Sequence, residues 1–537
     1  MLKRILPTLL LLSFLLSCAP APQTVDPAQA ATPAPEAEPA NWWNEAVFYE
    51  IFVRSFNDSD GNGIGDFNGI TQKLDYLETL GITAVWLMPI HPSPSYHGYD
   101  VTDYYAVNPE YGTLDDFKNL LAEAHKRDIR IIMDLVLNHT SSQHPWFVEA
   151  NSDPNSEHHD YYVWSETGEG DGGWHKGAQG YYFGLFWEGM PDLNYNNPAV
   201  TADMLNVTDF WLTDIGIDGF RIDAAKHLIE EGGKRENTPA THEWYKGFYT
   251  AYKKQNPQAY TIGEVFGAGS SVIKSYTGNQ LDHIFNFEMS SGFVNSVKGG
   301  ANSGATSAFK FAFQDMPDFN YATFLTNHDQ NRVMSVFNGD IGKAKVAATL
   351  LLTSPGTPFI YYGEEIGMTG KKPDEDLRVP MQWSNAENAG FTTGSPWHNP
   401  NANYTSVNVA SESEDPASLL SHYRALIQLR TQHPALKLGD AVLIETGNSA
   451  VFALLRNSGS EHILIVVNLG DEPITDYGLS LTESLLTDGT LTPASLLGSE
   501  QARRLKIKNG QFADYKPVKK ILPYETYIFD IENDPAR

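Results

Sequence analysis

The stretch G-I-D-G-F-R-I-D-A-A-K-H, Gly216 to His227, contains a short strand that ends in a cluster of charged side chains. The run 217–222 is rich in β-branched and aromatic residues, which is typical of a strand. Side chains alternate between the two faces of a strand, so Arg221 and Asp223 point the same way at its carboxyl end. A carboxylate beside a fixed guanidinium stays ionised at neutral pH, as a nucleophile must. A structural ion pair at the strand end is the alternative interpretation.

Seven further apolar runs have the same character and alternate with amphipathic helical stretches. They are 47–53, 84–88, 129–136, 260–263, 283–287, 322–325 and 358–362. Alternating strands and helices are typical of parallel sheets built from βα units, and eight of them predict an α/β fold, a closed (β/α)₈ TIM barrel. In that fold the functional side chains gather at the carboxyl ends of the strands. A polar cluster directly after a run is therefore a candidate site.

Two parts of the chain depart from this alternation. Residues 139–198 contain no clean βα unit, are rich in Trp, Tyr, His, Gly and Asp, and are too long for a plain loop. We predict that they form a subdomain inserted after the third barrel strand. Beyond about residue 436 short strands replace the helices, which predicts a C-terminal antiparallel β-sandwich domain over 436–537. The catalytic barrel with its insertion is assigned to 41–435.

The N terminus has the pattern of a secretory signal. Lys3 and Arg4 precede an apolar run over 5–16, which is shorter than an ordinary membrane-spanning helix. Cys18, the only cysteine of the chain, follows small Ser17 and resembles the lipobox of bacterial lipoproteins. We predict a signal peptide over 1–18 with lipidation of Cys18. An ordinary signal peptide is the alternative.

Residues 19–40 are mostly Ala, Pro, Gln, Glu and Thr, a composition that cannot form a core and predicts a linker. A lipid on Cys18 followed by such a linker would tether the protein to a membrane surface. The expected location is extracytoplasmic, either lipid-anchored at the cell membrane or secreted. Contact with a membrane is expected only through this anchor.

The chain is strongly acidic, with 37 basic against 66 acidic residues and a formal charge of -29. Most of the surface would repel a polyanion, so nucleic acid is excluded as the expected partner. A neutral or cationic ligand is expected instead. Aromatic residues make up 12% of the chain and suit stacking on sugar rings, although aromatic side chains also fill cores.

Two further predicted strands end in carboxylates. Glu264 closes the segment Y-T-I-G-E and is followed by apolar Val265 and Phe266, surroundings that raise a carboxyl pKa and suit a general acid. Asp329 closes the segment F-L-T-N-H-D. Three carboxylates at one barrel mouth repel one another, which is energetically unfavourable unless they stabilise a positive charge that develops there. Glycoside cleavage through an oxocarbenium-like transition state supplies such a charge.

From about Trp42 to the C terminus the sequence resembles the α-amylase family of glycoside hydrolases. The matching segments are GITAVWLMP (81–89), DLVLNH (134–139), MPDLN (190–194), GFRIDAAKH (219–227), GEVF (263–266), FLTNHD (324–329) and GTPFIYYGEE (356–365). The resemblance implies a retaining mechanism with Asp223 as nucleophile, Glu264 as general acid and base, and Asp329 as transition-state stabiliser. It also implies that Arg221 keeps Asp223 ionised.

The resemblance also assigns substrate-binding side chains. They are His97, Tyr99, Asp100, His139, Arg221, Lys226, His227, His328 and Arg332. His97 would bond the sugar in the cleavage subsite, Tyr99 would stack beneath it, and Lys226 and His227 would hold the glucose on the leaving side. Loop packing is the alternative for the first two, and a structural hydrogen bond is the alternative for His139 and His328. The implied partner is an α-glucan such as starch or a maltooligosaccharide.

The segment D-S-D-G-N-G-I-G-D, residues 58–66, places oxygen-bearing groups at alternate positions. It begins like an EF-hand loop, but position 12 is a glycine instead of the bidentate Glu that an EF-hand needs. A shorter Ca²⁺ site remains, built from Asp58, Asp60, Asn62, Asp66 and the carbonyl of Ile64. A solvated acidic turn is the alternative. The loop also resembles a calcium loop of the oligo-1,6-glucosidase branch of the family.

The family resemblance implies a second calcium site, at the interface with the inserted subdomain. Asn138, Asp192 and the carbonyl of His227 occupy matching positions. No further ligand is assigned to it from the sequence.

Two features indicate specificity within the family. MPDLN lies between the QPDLN of oligo-1,6-glucosidases and the MPKLN of neopullulanases and resembles an intermediate group that contains secreted α-amylases. Ala224 follows the nucleophile, where α-1,6-specific relatives tend to have Val, so α-1,4 bonds are favoured. We predict an endo-acting α-1,4-glucan hydrolase, an α-amylase.

Three alternatives stay open. RVPMQW at 378–383, Asp100 and Arg332 resemble exo-acting enzymes, so an exo-acting α-glucosidase or oligo-1,6-glucosidase is one of them. A cyclomaltodextrinase- or neopullulanase-type enzyme is another. A non-catalytic surface glycan-binding protein is remote, because such relatives usually lack one of the three carboxylates. A monomer is expected, since no N-terminal β domain of the kind used by dimeric cyclodextrin hydrolases is recognised.

Overall fold

The computed structural model describes residues 41–170, 172–483 and 485–531. The chain from Asn41 onward forms one compact unit. Within the described residues, no helix combines the length and the apolar character needed to cross a bilayer. The predicted signal peptide, Cys18 and the predicted linker over 19–40 lie outside the described residues.

The strands of the described chain are numbered in chain order. They are β1 (Phe48–Ile51), β2 (Ala84–Leu87), β3 (Arg130–Leu135), β4 (Trp164–Ser165), β5 (Trp174–Lys176), β6 (Tyr181–Phe183), β7 (Gly219–Ile222), β8 (Tyr260–Gly263), β9 (His283–Phe285), β10 (Tyr321–Thr323), β11 (Thr357–Tyr361), β12 (Asp440–Leu443), β13 (Val451–Ser458), β14 (Glu461–Asn468), β15 (Leu479–Leu481), β16 (Gly489–Leu491), β17 (Ala494–Leu497), β18 (Leu505–Ile507), β19 (Phe512–Tyr515) and β20 (Thr526–Asp530).

The α-helices are numbered in the same way. They are α1 (Val53–Phe56), α2 (Phe67–Gln72), α3 (Leu74–Leu80), α4 (Leu114–His125), α5 (Pro145–Ser152), α6 (Pro198–Asp209), α7 (Pro239–Gln255), α8 (Ser270–Ile273), α9 (Phe287–Gly299), α10 (Ser303–Asp315), α11 (Val333–Val336), α12 (Ile341–Thr353), α13 (Asp374–Leu377), α14 (Val409–Glu414), α15 (Leu419–Gln432) and α16 (Pro434–Lys437).

Eight strands close into a parallel barrel in the order β1-β11-β10-β9-β8-β7-β3-β2. Each of them overlaps one of the eight apolar runs of the sequence, so the predicted (β/α)₈ barrel is confirmed. The helices between the strands bury one stripe against the sheet. In α4, a capping box of Thr113 and Asp116 begins the helix, and its buried residues recur at the three- and four-residue spacing of one helical face between Phe117 and Ala124.

The barrel interior changes from apolar to charged towards the carboxyl ends of the strands. Phe48 of β1 stacks on Phe359 of β11 with ring centroids 4.2 Å apart. Two residues further along β1, Glu50 is on the same face as Phe48 and is also buried. Asp134 of β3 lies opposite Arg221 of β7 in the register of the sheet. The barrel therefore holds a charged layer directly beneath its mouth.

Additional β structure lies in the two regions where the alternation breaks. Between β3 and β7, the strands β4, β6 and β5 form an antiparallel sheet. After α16 ends at Lys437, β12, β13, β14, β20 and β17 form an antiparallel five-stranded sheet, and β15–β19 and β16–β18 form two smaller sheets. This region has its own core, which includes Leu455, Val466 and Phe529. The expected C-terminal β domain is thus present.

Candidate active site

One guanidinium connects the carboxyl ends of β3, β7 and β8. Arg221 is 1% exposed, and its Nη1 donates to Asp223 Oδ1 at 2.6 Å and to Asp134 Oδ1 at 2.5 Å. Its Nη2 donates to Glu264 Oε2 at 2.9 Å. Asp223 and Glu264 follow directly after neighbouring parallel strands, which brings them to one side of the mouth. The predicted nucleophile and the predicted acid therefore share one cation.

Burial sets the protonation of this carboxyl pair. It raises the pKa of Glu264 against the opposing charge of Arg221, and the charges of Asp223 and Asp329 raise that pKa further. Burial also raises the pKa of Asp223, where Arg221 opposes through both its charge and a hydrogen bond. Neighbouring carboxyl groups do not both ionise easily, and Arg221 lies closer to Asp223 Oδ1, at 2.6 Å, than to Glu264 Oε2, at 2.9 Å. The closer guanidinium favours ionisation of Asp223 before Glu264.

Asp329 is the most accessible of the three acids, with 43% of its side chain exposed against 12% for Asp223 and 14% for Glu264. Arg378 Nη2 donates to Asp329 Oδ1 at 2.8 Å, and His328 Nε2 lies 3.3 Å from Oδ2. Burial would raise the pKa of Asp329, but the positive charges of His328 and Arg378 outweigh it and hold the pKa below its usual value. Asp329 is therefore ionised at neutral pH.

His328 connects this carboxylate to the charged layer inside the barrel. Its Nδ1 lies 2.5 Å from Glu50 Oε1, and its Nε2 lies 2.7 Å from the Tyr99 hydroxyl. Burial would lower the pKa of His328, but the charges of Asp329 and Glu50 outweigh it and raise the pKa. His328 thus bridges a buried glutamate on β1 and the predicted transition-state stabiliser.

A cavity of about 340 Å³ opens between these groups. It is lined by His97, Tyr99, His139, Phe186, Trp187, Met190, Asp223, Ala224, Glu264, Asp329, Asp374 and Arg378. A second cavity of about 470 Å³ shares four of these residues and is lined on its far side by Lys226, His227 and Phe266. The two cavities form one cleft with the carboxylates in its middle. A larger cavity of about 680 Å³ contains none of the three acids, so size alone does not identify the site.

Two histidines of the cleft are neutral at neutral pH. Burial lowers the pKa of His139 to about 4, and burial also lowers that of His97. Among the described residues, no hydrogen-bond partner reaches the buried Nε2 of His139. A neutral imidazole nitrogen can donate to or accept from a sugar hydroxyl. Tyr99 lies nearly parallel to His328, with ring centroids 5.7 Å apart, and also lines the cavity.

Lys226 and His227 flank the second cavity, on the far side from His97. Ala224, directly after the nucleophile, has a φ of 46°, and this left-handed residue turns the chain into the single 3₁₀ turn Ala225–His227. Lys226 Nζ lies 2.6 Å from a Glu236 carboxylate oxygen. Burial lowers the pKa of His227, which leaves it neutral. Both predicted leaving-side contacts are therefore at the cleft.

Asp100 and Arg332, which the sequence analysis placed among the substrate contacts, line neither cavity of the cleft. Arg332 is 2% exposed and donates to the backbone carbonyls of Leu377 and Tyr362. Asp100 is also 2% exposed and accepts a hydrogen bond from the Ser93 hydroxyl. These hydrogen bonds to backbone carbonyls and to a hydroxyl hold loops in place, so the two charged groups have a structural role.

Arg378 was not predicted as a site residue, although the segment that contains it was recognised. It contacts Asp329 across 49 residues of chain. Asp134 and Glu50 were also missed, and their signal was available in the sequence. Each is a charged residue at an inward-facing position of an otherwise apolar strand, which is costly unless it is paired.

Phe186 and Trp187, in the inserted region, were not predicted either. Their side chains are 49% and 47% exposed, and both line the cleft. Phe186 lies at the boundary of the two cavities, with its ring 5.3 Å from that of His139 and 6.0 Å from that of His227. Exposed aromatic rings in a cleft suit stacking on sugars.

The predicted metal loop brings its acids together. Asp58, Asp60 and Asp66 each offer one oxygen, and these three atoms lie within 4.8 Å of one another. Ile64 N–H donates to Asn62 Oδ1 at 2.8 Å, so both residues belong to the same tight turn. All the donors are carboxylate, amide or carbonyl oxygens, which suit a hard divalent cation. The residues present therefore fit a metal site.

Backbone contacts hold this loop in shape. Gly63 N–H donates to Asp58 Oδ2 at 2.7 Å, and Thr392 bonds the same carboxylate. Burial would raise the pKa of Asp58, but these hydrogen bonds lower it. Gly63 has a φ of 92°, and a Cβ there would lie 1.8 Å from the Ser395 carbonyl oxygen. Only glycine fits, and the loop is joined to the 392–395 segment.

The residues proposed for a second metal lie where the inserted region meets the barrel. Leu193 N–H donates to the Asn138 carbonyl at 2.9 Å, and Asp192 is buried beside them. Asp192 Oδ2 and Glu230 Oε1 are both buried, and within the described chain neither atom has a hydrogen-bond partner. Burial raises the pKa of Asp192, and the charge of Glu230 raises it further. Glu230 is thus an unpredicted acid beside this position.

Comparisons with known proteins agree on one family. A family model described as "Alpha amylase, catalytic domain" matches residues 50–439. The chain is 44% identical over 436 residues to Alpha-amylase 3 of Dictyoglomus thermophilum, which covers 80% of this chain and 85% of that protein. It is 34% identical over 536 residues to an oligo-1,6-glucosidase of Parageobacillus thermoglucosidasius, which covers 83% of this chain and 94% of the relative.

A solved structure shows the same architecture. The crystal structure of an α-amylase from H. orenii matches with a TM-score of 0.79 and 38% sequence identity. The match covers 91% of this chain and 100% of that one. The similarity therefore includes the C-terminal β domain as well as the barrel.

Proposed function

We propose, because the chain belongs to the α-amylase family of glycoside hydrolases, that it is a retaining enzyme that cleaves α-1,4-glucosidic bonds in starch and maltodextrins. The observation that carries the proposal is the contact of Asp223 and Glu264 with the two terminal nitrogens of one guanidinium. Such a bridge favours the short carboxyl separation of retaining enzymes, since inverting enzymes keep room for a water molecule between the two groups.

The first step forms a bond between Asp223 and the anomeric carbon. The glycosidic C–O bond breaks, and the proton of Glu264 passes to the leaving oxygen. Asp329, kept ionised by His328 and Arg378, bonds the sugar hydroxyls and stabilises the positive charge of the transition state.

The second step releases the sugar from the enzyme. Glu264, now a carboxylate, takes a proton from a water molecule, whose oxygen attacks the anomeric carbon and displaces Asp223. Two inversions leave the anomeric configuration unchanged. The buried Arg221 contacts both groups and stabilises the negative charge, which passes from Asp223 to Glu264 in the first step and back in the second.

The retaining mechanism is tested by proton NMR of the products of maltopentaose in the first minutes of hydrolysis. The expected product has the α configuration, and slow mutarotation then produces the β form. Initial β product would contradict the assignment of Asp223 as a nucleophile. Asp223→Ala should be inactive, and full activity of this variant would exclude Asp223 as the nucleophile. Absence of hydrolysis by the unsubstituted protein would favour a non-catalytic, glycan-binding role.

Endo action on α-1,4 bonds is supported by Ala224 after the nucleophile and by the similarity to two α-amylases. An exo-acting α-glucosidase is the second candidate, because Arg378 of RVPMQW, together with Asp374, forms one wall of the first cavity. Starch digestion with product analysis over time separates them. Glucose as the only early product, with iodine staining almost unchanged, would refute endo action.

We also propose that Ca²⁺ binds Asp58, Asp60, Asn62, the Ile64 carbonyl and Asp66. The ion would supply no catalytic chemistry and would join this loop to the 392–395 segment. A second Ca²⁺ beside Asn138, Asp192 and the carbonyl of His227 is supported by the unpartnered carboxylate oxygen of Asp192. Calorimetric titration of the chelator-treated protein with Ca²⁺ tests both sites, and one binding step would remove the second.

For its location, we propose an extracytoplasmic enzyme that is anchored through a lipid on Cys18 and active as a monomer on its α-glucan. Cleavage before Cys18 is supported by the apolar run over 5–16 and by Ser17. Incorporation of labelled palmitate into the full chain, and its loss in Cys18→Ser, tests the anchor. Light scattering of the purified enzyme tests the monomer.

A further inference from the structure

The C-terminal β domain carries a basic segment on an otherwise acidic chain. Residues 503–520 contain seven Lys and Arg and one Asp, whereas the whole chain has 37 basic and 66 acidic residues. A basic run of this kind is often a solvated surface, so its placement in the fold matters. In the structure these charges lie on and around the strands β18 and β19.

A tight turn joins β18 to β19. Asn509 and Gly510 have φ values of 55° and 71°, the left-handed conformation that a two-residue turn between antiparallel strands requires. In β18, Leu505 and Ile507 are buried in the domain core and Lys506 between them is exposed. The alternation of the strand therefore fixes its apolar side chains inward and its charge outward.

Four cations of the segment surround one depression of about 500 Å³. They are Arg503, Arg504, Lys506 and Lys516, and Asp514 is the single acid in the lining. We call these four residues the basic face. Arg503, Arg504 and Lys506 are exposed, and within the described part of the chain none of the four forms an ion pair. Arg503, Arg504 and Lys506 thus present positive charge to solvent, while half-buried Lys516 donates to the Thr475 carbonyl.

An apolar side chain lies beside the turn. Leu485 is 39% exposed, and its N–H donates to the Gly510 carbonyl at 3.3 Å. Lys508, two residues before Gly510, is also exposed. Cations next to an exposed leucine are suited to the interface of an anionic bilayer, where the apolar group enters the headgroup region and the cations bind phosphates. A soluble polyanion would not need the leucine.

We propose that the basic face, with Lys508 and Leu485, binds the anionic headgroups of a phospholipid bilayer. This interaction goes beyond hydrolysis of the glucan. It rests on the proposed Cys18 anchor in one respect only, which is that the anchor makes a bilayer the nearest anionic surface. The predicted linker over 19–40 places 22 residues between Cys18 and the described part of the chain. The anchored enzyme could therefore lay this face on the membrane, while the net charge of -29 repels the rest of its surface.

The test uses residues 41–537, which contain the compact unit and lack the lipidation site. Co-sedimentation is measured with vesicles of phosphatidylcholine and with vesicles of equal parts phosphatidylcholine and phosphatidylglycerol. Binding is expected only to the second kind and is expected to be lost at high salt. Each removed charge should weaken partitioning about fivefold, so Gln at Arg503, Arg504, Lys506 and Lys508 together should weaken it more than a hundredfold.

A matched variant controls for net charge. It carries Gln at Lys118, Lys254, Lys274 and Lys310, which are exposed and lie outside the C-terminal domain. An equal loss of vesicle binding in both variants would overturn the proposal, as would absence of binding to phosphatidylglycerol vesicles. Binding of soluble polyphosphate without vesicle binding would assign the face to a soluble polyanion and would also overturn it.

Two further measurements separate this proposal from others. Leu485→Ser should weaken vesicle binding and leave polyphosphate binding unchanged, whereas a purely electrostatic surface would be insensitive to it. Hydrolysis of soluble maltopentaose should be the same in the variant with Gln at Arg503, Arg504, Lys506 and Lys508, in the control variant and in the unsubstituted protein. Absence of hydrolysis in all three proteins would count against the proposed function and not against the membrane contact.

Discussion

Replacing Glu50 by Gln should narrow the pH range of hydrolysis from its alkaline side. Glu50 and His328 are both buried, with Oε1 and Nδ1 2.5 Å apart. The amide oxygen of Gln can still accept the Nδ1–H bond but carries no charge. Burial lowers the pKa of His328, Asp329 and Glu50 raise it, and Arg378 lowers it. Without the Glu50 charge that pKa falls, so the imidazolium beside Asp329 persists only to a lower pH.

The size of the effect follows from this one contact. A hydrogen bond with a charged partner contributes about 1.5–3 kcal/mol and a neutral one about 0.5–1.5 kcal/mol. Loss of the charge with retention of the bond therefore removes about 1–2 kcal/mol. At 1.36 kcal/mol per factor of ten, kcat/KM should fall about 5- to 30-fold on the alkaline limb. The loss should be smaller at acidic pH, where His328 is protonated in both proteins.

The assay is kcat/KM on maltopentaose across the pH range, together with ¹⁵N NMR of labelled histidine, in which His328→Gln assigns the resonance. Glu365→Gln is the control, because Glu365 is equally buried and accepts a hydrogen bond from Tyr49, the neighbour of Glu50 on β1, but lies on the outward side of the strand. A Glu50→Gln profile parallel to the unsubstituted one, or the same shift in the control, would refute the reasoning.

Arg378→Met should raise the pKa of Asp329, so the acid limb of kcat/KM should move to higher pH and the plateau should fall about 10- to 100-fold. Arg332→Met should leave the acid limb in place, and a larger shift in Arg332→Met than in Arg378→Met would contradict the placement of the two arginines. Asp58→Ala should lower the Tm and abolish the fall in Tm that a chelator causes in the unsubstituted protein, since an ion at a hundred times its Kd adds about 2.7 kcal/mol to the free energy of unfolding. An unchanged chelator response would exclude this loop as the metal site. Burial raises the pKa of Glu364 to about 8, so the folded state keeps a proton that the unfolded chain releases at lower pH, and stability falls as pH rises towards that value. Glu364→Gln should therefore raise the Tm relative to the unsubstituted protein above this pH and change it least in acid, and a larger gain in acid would refute the assignment of a buried neutral carboxyl.

The barrel was predictable because parallel strands buried on both faces leave continuous short apolar runs, and amphipathic helices separate them. Asp223 and Glu264 were predictable for a related reason. In this topology the residue after each strand lies at the same mouth of the barrel, and its position does not depend on the conformation of the loops. The acidic loop was also recognisable, because its oxygen-bearing side chains lie within nine consecutive residues and Gly63 allows the turn.

Contacts across the barrel were not predictable in this way. Glu50 and His328 are 278 residues apart, and Tyr99 and His328 are 229 apart. Strand periodicity identifies which residues face the interior, but their partners depend on the closure and register of the sheet. The charge of His328, and through it the ionisation of Asp329, therefore follows only from the tertiary structure.

The two arginines show the same division. From the sequence, Arg332 and Arg378 both follow the Asp329 segment, and either could serve its carboxylate. Folding of the chain between them turns Arg332 towards the carbonyls of Leu377 and Tyr362 and brings Arg378 to 2.8 Å from Asp329. Residue type and strand position establish that a cation is available. Only the path of the loop decides which cation reaches the acid, because a charge acts on a carboxylate through distance and desolvation.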